Sequence, residues 1–321
     1  MTRTLLSAAL FVLVTSLGST WAQDYPARRV KILVPYAAGG VPDVLARVVG
    51  QRLSEALSQQ FVVENKPGAG GIPAVMTVVK APADGYTLLI ADVAQTAINP
   101  HLFEKLPYDT LKDLAPVSIV ASSPIYVVVS PSVRIDSFAE LIAYAKAHPN
   151  RLSYGSAGIG SIHHISMESI KAALGIDLAH VPYKGSGQSV PAFLAGEVPI
   201  VLTALPALGP YVQSGRAKLL AVTSVARSAQ VPEVPSVSEF IPGYDFIAEV
   251  GLLAPAGTPV AAVSKISSEV AKAMKHPETA SRLKALGLDP VGSTPEAFAA
   301  LIRSNLERFA KAVKISGAKV N

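Results

Sequence analysis

Short β-rich runs alternate with helix-like runs along most of the chain, and this alternation limits the fold more than any single motif does. The first unit reads VKILVPY, then a Gly-rich turn, then apolar residues at helical spacing from Pro42 onwards. QFVVENK and DGYTLLIAD are two further strand-like runs, with a helical pattern over residues 72–80 between them. A strand–helix–strand–helix–strand order predicts a parallel sheet with helices on both faces. The predicted fold class is α/β.

The run LAPVSIVASSPIYVVVSPS interrupts this order, because it contains two apolar runs with no helix between them. We interpret it as a crossing into a second domain with predicted bounds 122–224. Residues 23–121 together with 225–321 then form the first domain. Two α/β domains joined by two crossings leave a ligand cleft between them, and ligands of open α/β sheets bind beyond the carboxyl ends of the strands.

The first 22 residues are predicted to be a secretory signal peptide that is cleaved after Ala22. Arg3 precedes an apolar run from Leu5 to Leu17, and small residues follow it. The run is shorter than the ~20 apolar residues of a membrane-spanning helix, which favours a cleaved signal over an uncleaved anchor. We therefore expect residues 23–321 to be exported.

Composition argues against several classes of function. The 321 residues carry a formal charge of +5 without a block of basic residues, so the sequence does not predict nucleic-acid binding. The chain contains no cysteine, which excludes disulfides, thiolate metal sites and a cysteine nucleophile. Positive charge that is spread along the chain is compatible with small anionic ligands.

The sequence carries no enzyme signature. It has no Gly-Lys pair for a phosphate-binding P-loop and no G-x-S-x-G spacing for a hydrolase nucleophile. His163 and His164 are adjacent, so their side chains diverge on a helix and do not chelate one metal; we expect one to face a pocket and the other to be structural. We therefore predict no catalytic residue, no metal and no cofactor. A secreted hydrolase or lyase that uses His164 and a cleft serine stays open as an alternative.

Two loops of small residues are the main candidates for ligand binding. The first consists of Tyr36, Ala37, Ala38, Gly39 and Gly40. It leads into a helix with Pro42 in its first turn, where the missing N–H would have had no partner. Backbone N–H groups beside a helix N-terminus attract an anion without a basic side chain. Asp43 in the same turn either orients the loop or accepts a hydrogen bond from a ligand. A tight turn without a ligand is the alternative.

The second loop repeats this arrangement in the second domain. Ser156, Ala157, Gly158 and Ser161 precede a helix that carries His164 on its first turn, and the serine hydroxyls add donors. Two facing helix N-termini across one cleft predict a carboxylate site between segments 36–43 and 155–161. Other candidate ligand residues on strand-end loops are Asp92, Gln95, Lys184 and Thr203. The turn KPGAGG at 66–71 is interpreted as structural.

A series of motifs in this order resembles the substrate-binding receptors of tripartite tricarboxylate transporters, the Bug-type periplasmic proteins. The motifs are YPARRVKILVPYAAGG, VVENKPGAGG, DGYTLLI, AINPHLFEKLPYD, LSYGSAGIGSIHH, HVPYKGSG, LLAVTS and GLLAPAGTP. The resemblance implies two α/β domains of the periplasmic binding protein type II class that close over a ligand. It also implies that loops 36–43 and 155–161 hold a ligand carboxylate, partly through ordered water.

The resemblance implies a function as well: a non-enzymatic receptor in the periplasm that captures a small carboxylate for integral membrane transporter subunits. We expect the receptor to be a monomer that binds no nucleic acid. A ligand sensor for a membrane signalling protein is a further alternative, which the sequence does not separate from a transport receptor.

Two positions depart from the family pattern. Val41-Pro42 stands where the family more often has Ala or Gly followed by Thr, and Thr203-Ala204 replaces the commoner Asp-Asn. The second change removes an acidic group from the cleft. It predicts a ligand without an amino group at that end, and hence weaker binding of amino acids than of plain mono- or dicarboxylates.

Overall fold

The computed structural model describes residues 25–318, and the predicted signal peptide 1–22 lies outside this range. The strands are β1 (Val30–Val34), β2 (Phe61–Asn65), β3 (Thr87–Ala91), β4 (Leu114–Pro124), β5 (Tyr126–Val129), β6 (Ser153–Ser156), β7 (Ala179–Pro182), β8 (Ile200–Thr203), β9 (Lys218–Val222), β10 (Ile247–Pro255) and β11 (Asp289–Pro290). The helices of eight or more residues are α1 (Val41–Leu57), α2 (Ile72–Val79), α3 (Phe138–Ala147), α4 (Ile162–Leu174), α5 (Ser186–Leu194), α6 (Val260–Lys275), α7 (Pro277–Ala285) and α8 (Pro295–Ser316). Between residues 25 and 318, none of the helices has the length and apolar character to span a bilayer.

The first sheet has the strand order β11-β4-β10-β3-β1-β2. Its β2-β1-β3 part is parallel, as the sequence predicts. β10 runs antiparallel to both β3 and β4, so the whole sheet is mixed rather than parallel. The reason lies in the connections: β4 leaves this sheet towards the second domain, and β10 returns from it in the opposite direction.

The second sheet has the order β7-β6-β8-β5-β9. The chain enters it at Ile125, between β4 and β5, a few residues after the predicted crossing. Residues 225–246, which the sequence analysis assigns to the first domain, pack on this second sheet. Val237, Tyr244 and Phe246 share a buried apolar cluster with Ile125, and the chain re-enters the first sheet only at β10. This segment contains no strand whose pairing the sequence pattern could have revealed.

The long C-terminal helix α8 contacts both domains. Phe298 near its start is buried against the first sheet, in a cluster that contains Leu33 and Leu253. Phe309 near its end belongs to the cluster that contains Ile165 of α4 in the second domain. One continuous helix therefore packs on both halves of the molecule.

Candidate ligand-binding cleft

Two cavities lie between the domains, at the carboxyl ends of the strands. The larger one, which we call the outer cavity, has a volume of about 330 Å³. The smaller one, the inner cavity, has about 20 Å³, enough for about one water molecule. Tyr36 and Ala157 line both cavities and separate them. The predicted residues that line at least one cavity are Tyr36, Gly40, Asp92, Gln95, Ala157, Gly158, Ser161 and Lys184.

The loops of the two domains touch across the cleft. The backbone N–H of Ala37 donates a hydrogen bond to the carbonyl of Lys184 at 3.0 Å. Beside it, Gly187 lies so close to Ala38 that a Cβ atom on Gly187 would come within 1.9 Å of the Ala38 carbonyl oxygen. The described conformation is therefore a closed one, and the contact at Gly187 tolerates no side chain.

Asp43 holds the first loop in shape. Its carboxylate accepts hydrogen bonds from the Gly39 N–H at 3.0 Å, from Arg47 at 2.9 Å and from Asn65 at 2.9 Å. Asn65 also donates to the Tyr36 carbonyl. Burial alone would raise the pKa of Asp43, but these hydrogen bonds outweigh it and lower the pKa below its ordinary value. Both carboxylate oxygens of Asp43 accept hydrogen bonds from the protein. Of the two roles that the sequence leaves open for Asp43, this supports the one of orienting the loop.

Tyr36, Asp92 and Gln95 form one buried hydrogen-bonded group. The Tyr36 hydroxyl donates to Asp92 Oδ1 at 3.0 Å and accepts from Gln95 Nε2 at 3.2 Å. The Ala94 N–H donates to the same Asp92 oxygen at 2.8 Å. Burial raises the pKa of Asp92 to about 6, although the hydrogen bonds from Ala94 and Tyr36 lower it. The sequence analysis selected all three side chains, but not their mutual contact.

In the second loop, Ser156 and His164 stabilise the loop and line neither cavity. Ser156 Oγ lies 2.7 Å from His180 Nε2 and accepts a hydrogen bond from the Gly158 N–H at 3.0 Å. His164 Nδ1 accepts from the Gly160 N–H at 3.2 Å, and its ring stacks on His180 with 4.1 Å between the centroids. Burial lowers the pKa of His164 to about 4 and that of His180 to about 3, so both rings are neutral near pH 7.

His163, rather than His164, faces the ligand cleft. It lines the inner cavity, and its Nδ1 atom is buried without a hydrogen-bond partner among residues 25–318. Burial lowers the pKa of His163 to about 4, so this nitrogen belongs to a neutral ring. The sequence predicts that one of the adjacent histidines faces a pocket and selects His164, whereas the structure places His163 at the inner cavity and His164 against the loop.

The Ser156–His180 contact bears on the hydrolase alternative. The two side chains are within hydrogen-bonding distance, as a nucleophile and its base must be. Ser156 is, however, fully buried and lines neither cavity, and no carboxylate of the described residues hydrogen-bonds to His180. The contact fixes the loop and offers no hydroxyl to a molecule in the cleft.

A third helix start, which the sequence analysis missed, also points at the inner cavity. α5 begins at Ser186, directly after Lys184 and Gly185, and Ser186 lines the inner cavity. Pro191 lies inside this helix and interrupts its helical sequence pattern. The sequence signal that remained was Gly-Ser-Gly before an apolar run. The starts of α1, α4 and α5 thus lie around this cavity; the His164 N–H in the first turn of α4 is capped by Ser161 Oγ, whereas α1 and α5 have no side-chain cap.

Thr203 and the KPGAGG turn lie differently from the sequence predictions. Thr203 lines neither cavity, and its buried hydroxyl has no partner in the described range; its neighbour Ala204 faces the inner cavity instead. The turn is not purely structural, because Gly68–Gly71 line the outer cavity. Gln95 and Asn99 hold this turn by donating to the Gly70 carbonyl at 3.1 and 2.9 Å.

Two α/β domains that close on a cleft lined by loops and helix starts define the class of two-domain solute-binding proteins. The chain belongs to the tripartite tricarboxylate transporter receptor family: the model of that family, described as "Tripartite tricarboxylate transporter family receptor", matches residues 45–317.

Three relatives illustrate this membership. Protein BugT of Bordetella pertussis is 34% identical over 325 residues, covering 100% of this chain and 99% of BugT. The structure of Rpa4515 from R. palustris with adipate is 34% identical, with a TM-score of 0.89 over 92% of this chain and 100% of the other. The structure of MatC from Rhodopseudomonas palustris with bound malate is 30% identical, with a TM-score of 0.85 over 90% of this chain and 100% of the other.

Proposed function

We propose that this chain is a non-enzymatic periplasmic receptor that captures a small carboxylate in its cleft and delivers it to the membrane subunits of a tripartite transporter. Its family supports the receptor role, and the adipate and malate bound by two relatives support a carboxylate ligand. The observation that carries the proposal is the convergence of three helix starts on one cleft that has little positive side-chain charge.

The helix starts supply most of the attraction for an anion. A helix N-terminus stabilises a partly buried anion by up to ~2 kcal/mol. Three such ends therefore contribute at most ~6 kcal/mol, or about four powers of ten in Kd. Lys184 lies at the rim of the outer cavity and is exposed, so as a surface cation it contributes ~0–1 kcal/mol. We therefore expect the main chain, rather than Lys184, to set the affinity for the carboxylate.

The predicted site residues divide into two proposed roles. Those in contact with the ligand or its bridging water are Tyr36, Gly40, Ala157, Gly158, Ser161 and Lys184. Those that shape the loops are Ala37, Ala38, Gly39, Asp43, Gln95, Ser156 and His164. Asp92 belongs to neither set, and we assign no ligand contact to Thr203, because its side chain lies outside both cavities. His163, Ser186 and Phe103 join the ligand-contacting set.

Closure is the proposed consequence of binding. A ligand held by loops of both domains favours the closed state by its differential affinity for that state. The hydrogen bond between Ala37 and Lys184 forms part of the same closed interface. Membrane subunits that recognise the closed form would then engage loaded receptors in preference to empty ones.

Ligand selectivity should favour carboxylates without an amino group. Asp92 is the only acidic residue that lines either cavity within the described range; it lines the inner cavity alone, so the outer cavity has no carboxylate for an ammonium group. The other walls of the inner cavity include Pro42, Ile125 and Ala204, which offer no acceptor for an ammonium group.

A thermal-shift screen of the purified mature protein tests this proposal. The screen compares adipate, malate and monocarboxylates with aspartate and glutamate, and calorimetry follows for each hit. A ligand at 100 times its Kd stabilises the folded protein by ~2.7 kcal/mol. Tighter binding of aspartate or glutamate than of every non-amino carboxylate would contradict the selectivity, and stabilisation by none of the carboxylates would contradict the function.

Three further measurements separate the remaining alternatives. Incubation of each hit with the protein should return the ligand unchanged, whereas a hydrolase or lyase would convert it. Uptake of the labelled hit by cells that lack this chain should fall, whereas loss of a sensor alone would leave direct transport intact at constant transporter levels. Size-exclusion chromatography with light scattering should give the mass of a monomer.

A further inference from the structure

We propose that Asp92 is a proton-linked element of the cleft, which takes up one proton when a carboxylate binds, so that the ligand and the proton enter the closed receptor together. This inference rests on the proposed function, because it concerns the same cleft and the same class of ligand. It assigns to Asp92 a positioning role that depends on its protonation state.

The placement of Asp92 carries the argument. It directly follows β3 at the edge of the cleft, is only 3% exposed and lines the inner cavity. Oδ1 accepts from the Tyr36 hydroxyl at 3.0 Å and from the Ala94 N–H at 2.8 Å. Oδ2 accepts no hydrogen bond from any residue between 25 and 318. One carboxylate oxygen is therefore fixed by the protein while the other is left for a proton.

No cationic side chain of the described residues compensates a negative charge on Asp92. Tyr36, which donates to Asp92, and Tyr108, whose hydroxyl donates to the Gln95 carbonyl, stay protonated because burial raises their pKa values. His163 lines the same cavity and is neutral near pH 7. The nearby Arg47 is paired with Asp43 and does not reach Asp92. Within the described chain, an ionised Asp92 is thus buried without a cation.

A bound carboxylate adds a second negative charge near an ionised Asp92, which is unfavourable unless Asp92 takes up a proton. Two negative charges in a closed cleft repel each other more strongly than in water, because the effective dielectric constant of a protein interior is ~20 rather than ~80. A proton from the solvent forms an O–H bond at Oδ2 and removes the repulsion. The resulting neutral acid also becomes a donor into the inner cavity, where an ordered water or the ligand accepts. On release of the ligand, the proton returns to the solvent.

The pKa of Asp92 lies near neutral pH, so the coupling between ligand binding and proton uptake can be measured. Burial raises the pKa of Asp92 to about 6 in the ligand-free protein. The group is therefore mostly ionised at pH 7.5 and mostly protonated at pH 5.5, and a nearby anion raises the pKa further. Because the ligand prefers the protonated form, affinity should fall as pH rises, by roughly 20-fold between pH 5.5 and 7.5 if binding requires the proton.

Isothermal titration calorimetry of the mature protein tests the inference with adipate and L-malate as probes. Titrations at pH 5.5, 6.5 and 7.5 give the pH dependence of Kd. Titrations at pH 7.0 in phosphate and in Tris, which differ in their heats of protonation, give the number of protons taken up, which we expect to be close to one. Asp92→Asn keeps the shape of the side chain but does not titrate, so it should lose the proton that Asp92 takes up and the pH dependence that this proton causes.

The control variant corrects for titration of the ligand itself, since any proton uptake by adipate or malate persists in Asp92→Asn. Tyr36→Phe is the second variant: it removes a hydrogen bond that stabilises the ionised form, so the pH at which affinity declines should move upward. Equal affinity of the wild type at pH 5.5 and 7.5, or an unchanged pH dependence in Asp92→Asn, would overturn the inference and leave the proposed function standing. Absence of binding by every screened carboxylate would refute both.

Discussion

The backbone N–H of Ala37 donates a hydrogen bond of 3.0 Å to the carbonyl of Lys184, and this bond joins loops from different domains across the mouth of the cleft. It uses a main-chain donor of the very loop that the sequence predicts to bind the ligand. The first loop therefore contacts the second domain through Ala37, and its other residues remain available for the proposed carboxylate.

Substitution of Gly187 should prevent closure of the two domains without preventing folding. In Gly187→Ala the added Cβ would lie 1.9 Å from the Ala38 carbonyl oxygen, so the closed contact cannot form. Alanine in a helix is otherwise favourable by up to ~1 kcal/mol relative to glycine, so α5 should fold. We expect at least a tenfold loss of ligand affinity by calorimetry, which corresponds to ~1.4 kcal/mol. Gly209→Ala is the matched control, because a Cβ there has no neighbour within 4 Å. Wild-type affinity in Gly187→Ala would show that closure does not depend on this contact.

Removal of the Asp43 carboxylate should release the first loop. Asp43→Ala loses the hydrogen bonds to Gly39, Arg47 and Asn65, and bonds to a charged group contribute ~1.5–3 kcal/mol. Chemical denaturation at pH 7 should show a loss of ~2–3 kcal/mol in the free energy of unfolding. Asp177→Ala, at an exposed position, should change little.

The effect of Asp43→Ala should also depend on pH in a defined direction. Because the folded protein holds the pKa of Asp43 below its ordinary value of 3.8, the carboxylate stabilises the fold above that value and loses this contribution as pH falls through the lower, folded pKa. The difference in unfolding free energy between variant and wild type should thus shrink when the measurement moves from pH 7 to pH 3. A difference that stays constant would mean that the ionised form is not what stabilises the loop.

Loss of the Ser156 hydroxyl should destabilise the second loop, and we expect no enzymatic activity to be lost with it. Ser156→Ala leaves His180 Nε2 and the Gly158 N–H without their buried partner, at a cost of ~1–3 kcal/mol. We expect a lower melting temperature and a several-fold higher Kd for the ligand. Ser132→Ala, on an exposed turn, serves as control. If the variant instead bound normally but failed to convert a substrate that the wild type turns over, the hydrolase alternative would be correct.

The side chain of Phe103 should set the preference for ligand length. Phe103 lines the outer cavity and not the inner one, where Gly40 and Ser186 lie at the starts of α1 and α5, so we expect it to contact a longer ligand more than a short one. Burial of a phenylalanine side chain contributes ~1.5–3 kcal/mol. We expect Phe103→Ala to weaken adipate by at least tenfold and malate by less, whereas Leu111→Ala at an exposed position should affect neither. An equal loss for both ligands would place the contact at the carboxylate and not along the chain.

Local periodicity was sufficient to predict β1, α1 and the parallel β2-β1-β3 unit, because each depends on residues close in sequence. The antiparallel entry of β10 was not predictable in this way, since it depends on the return of the chain from another domain. The same limit applies to the KPGAGG turn: it lines the cleft only because β2 lies beside β1 in the sheet.

The direction in which individual side chains point was the second feature that the sequence did not predict. Neighbouring residues on a helix or strand point in different directions, so a shift of one position exchanges a pocket residue for a structural one. His163 and His164 differ in this way on α4, and Thr203 and Ala204 differ in this way at the end of β8. Which of the two faces the cleft is decided by the packing of the whole element, and a loop motif carries no information about that packing.

Helix α8, held by Phe298 on one domain and by Phe309 on the other, restricts the path along which the receptor can open. A helix that is packed on both domains allows small rotations between them, whereas full separation would expose the apolar contact at one of its two ends. We therefore expect the two domains to open by a limited amount, so that the proposed membrane partner would meet closed and open forms that differ little in shape.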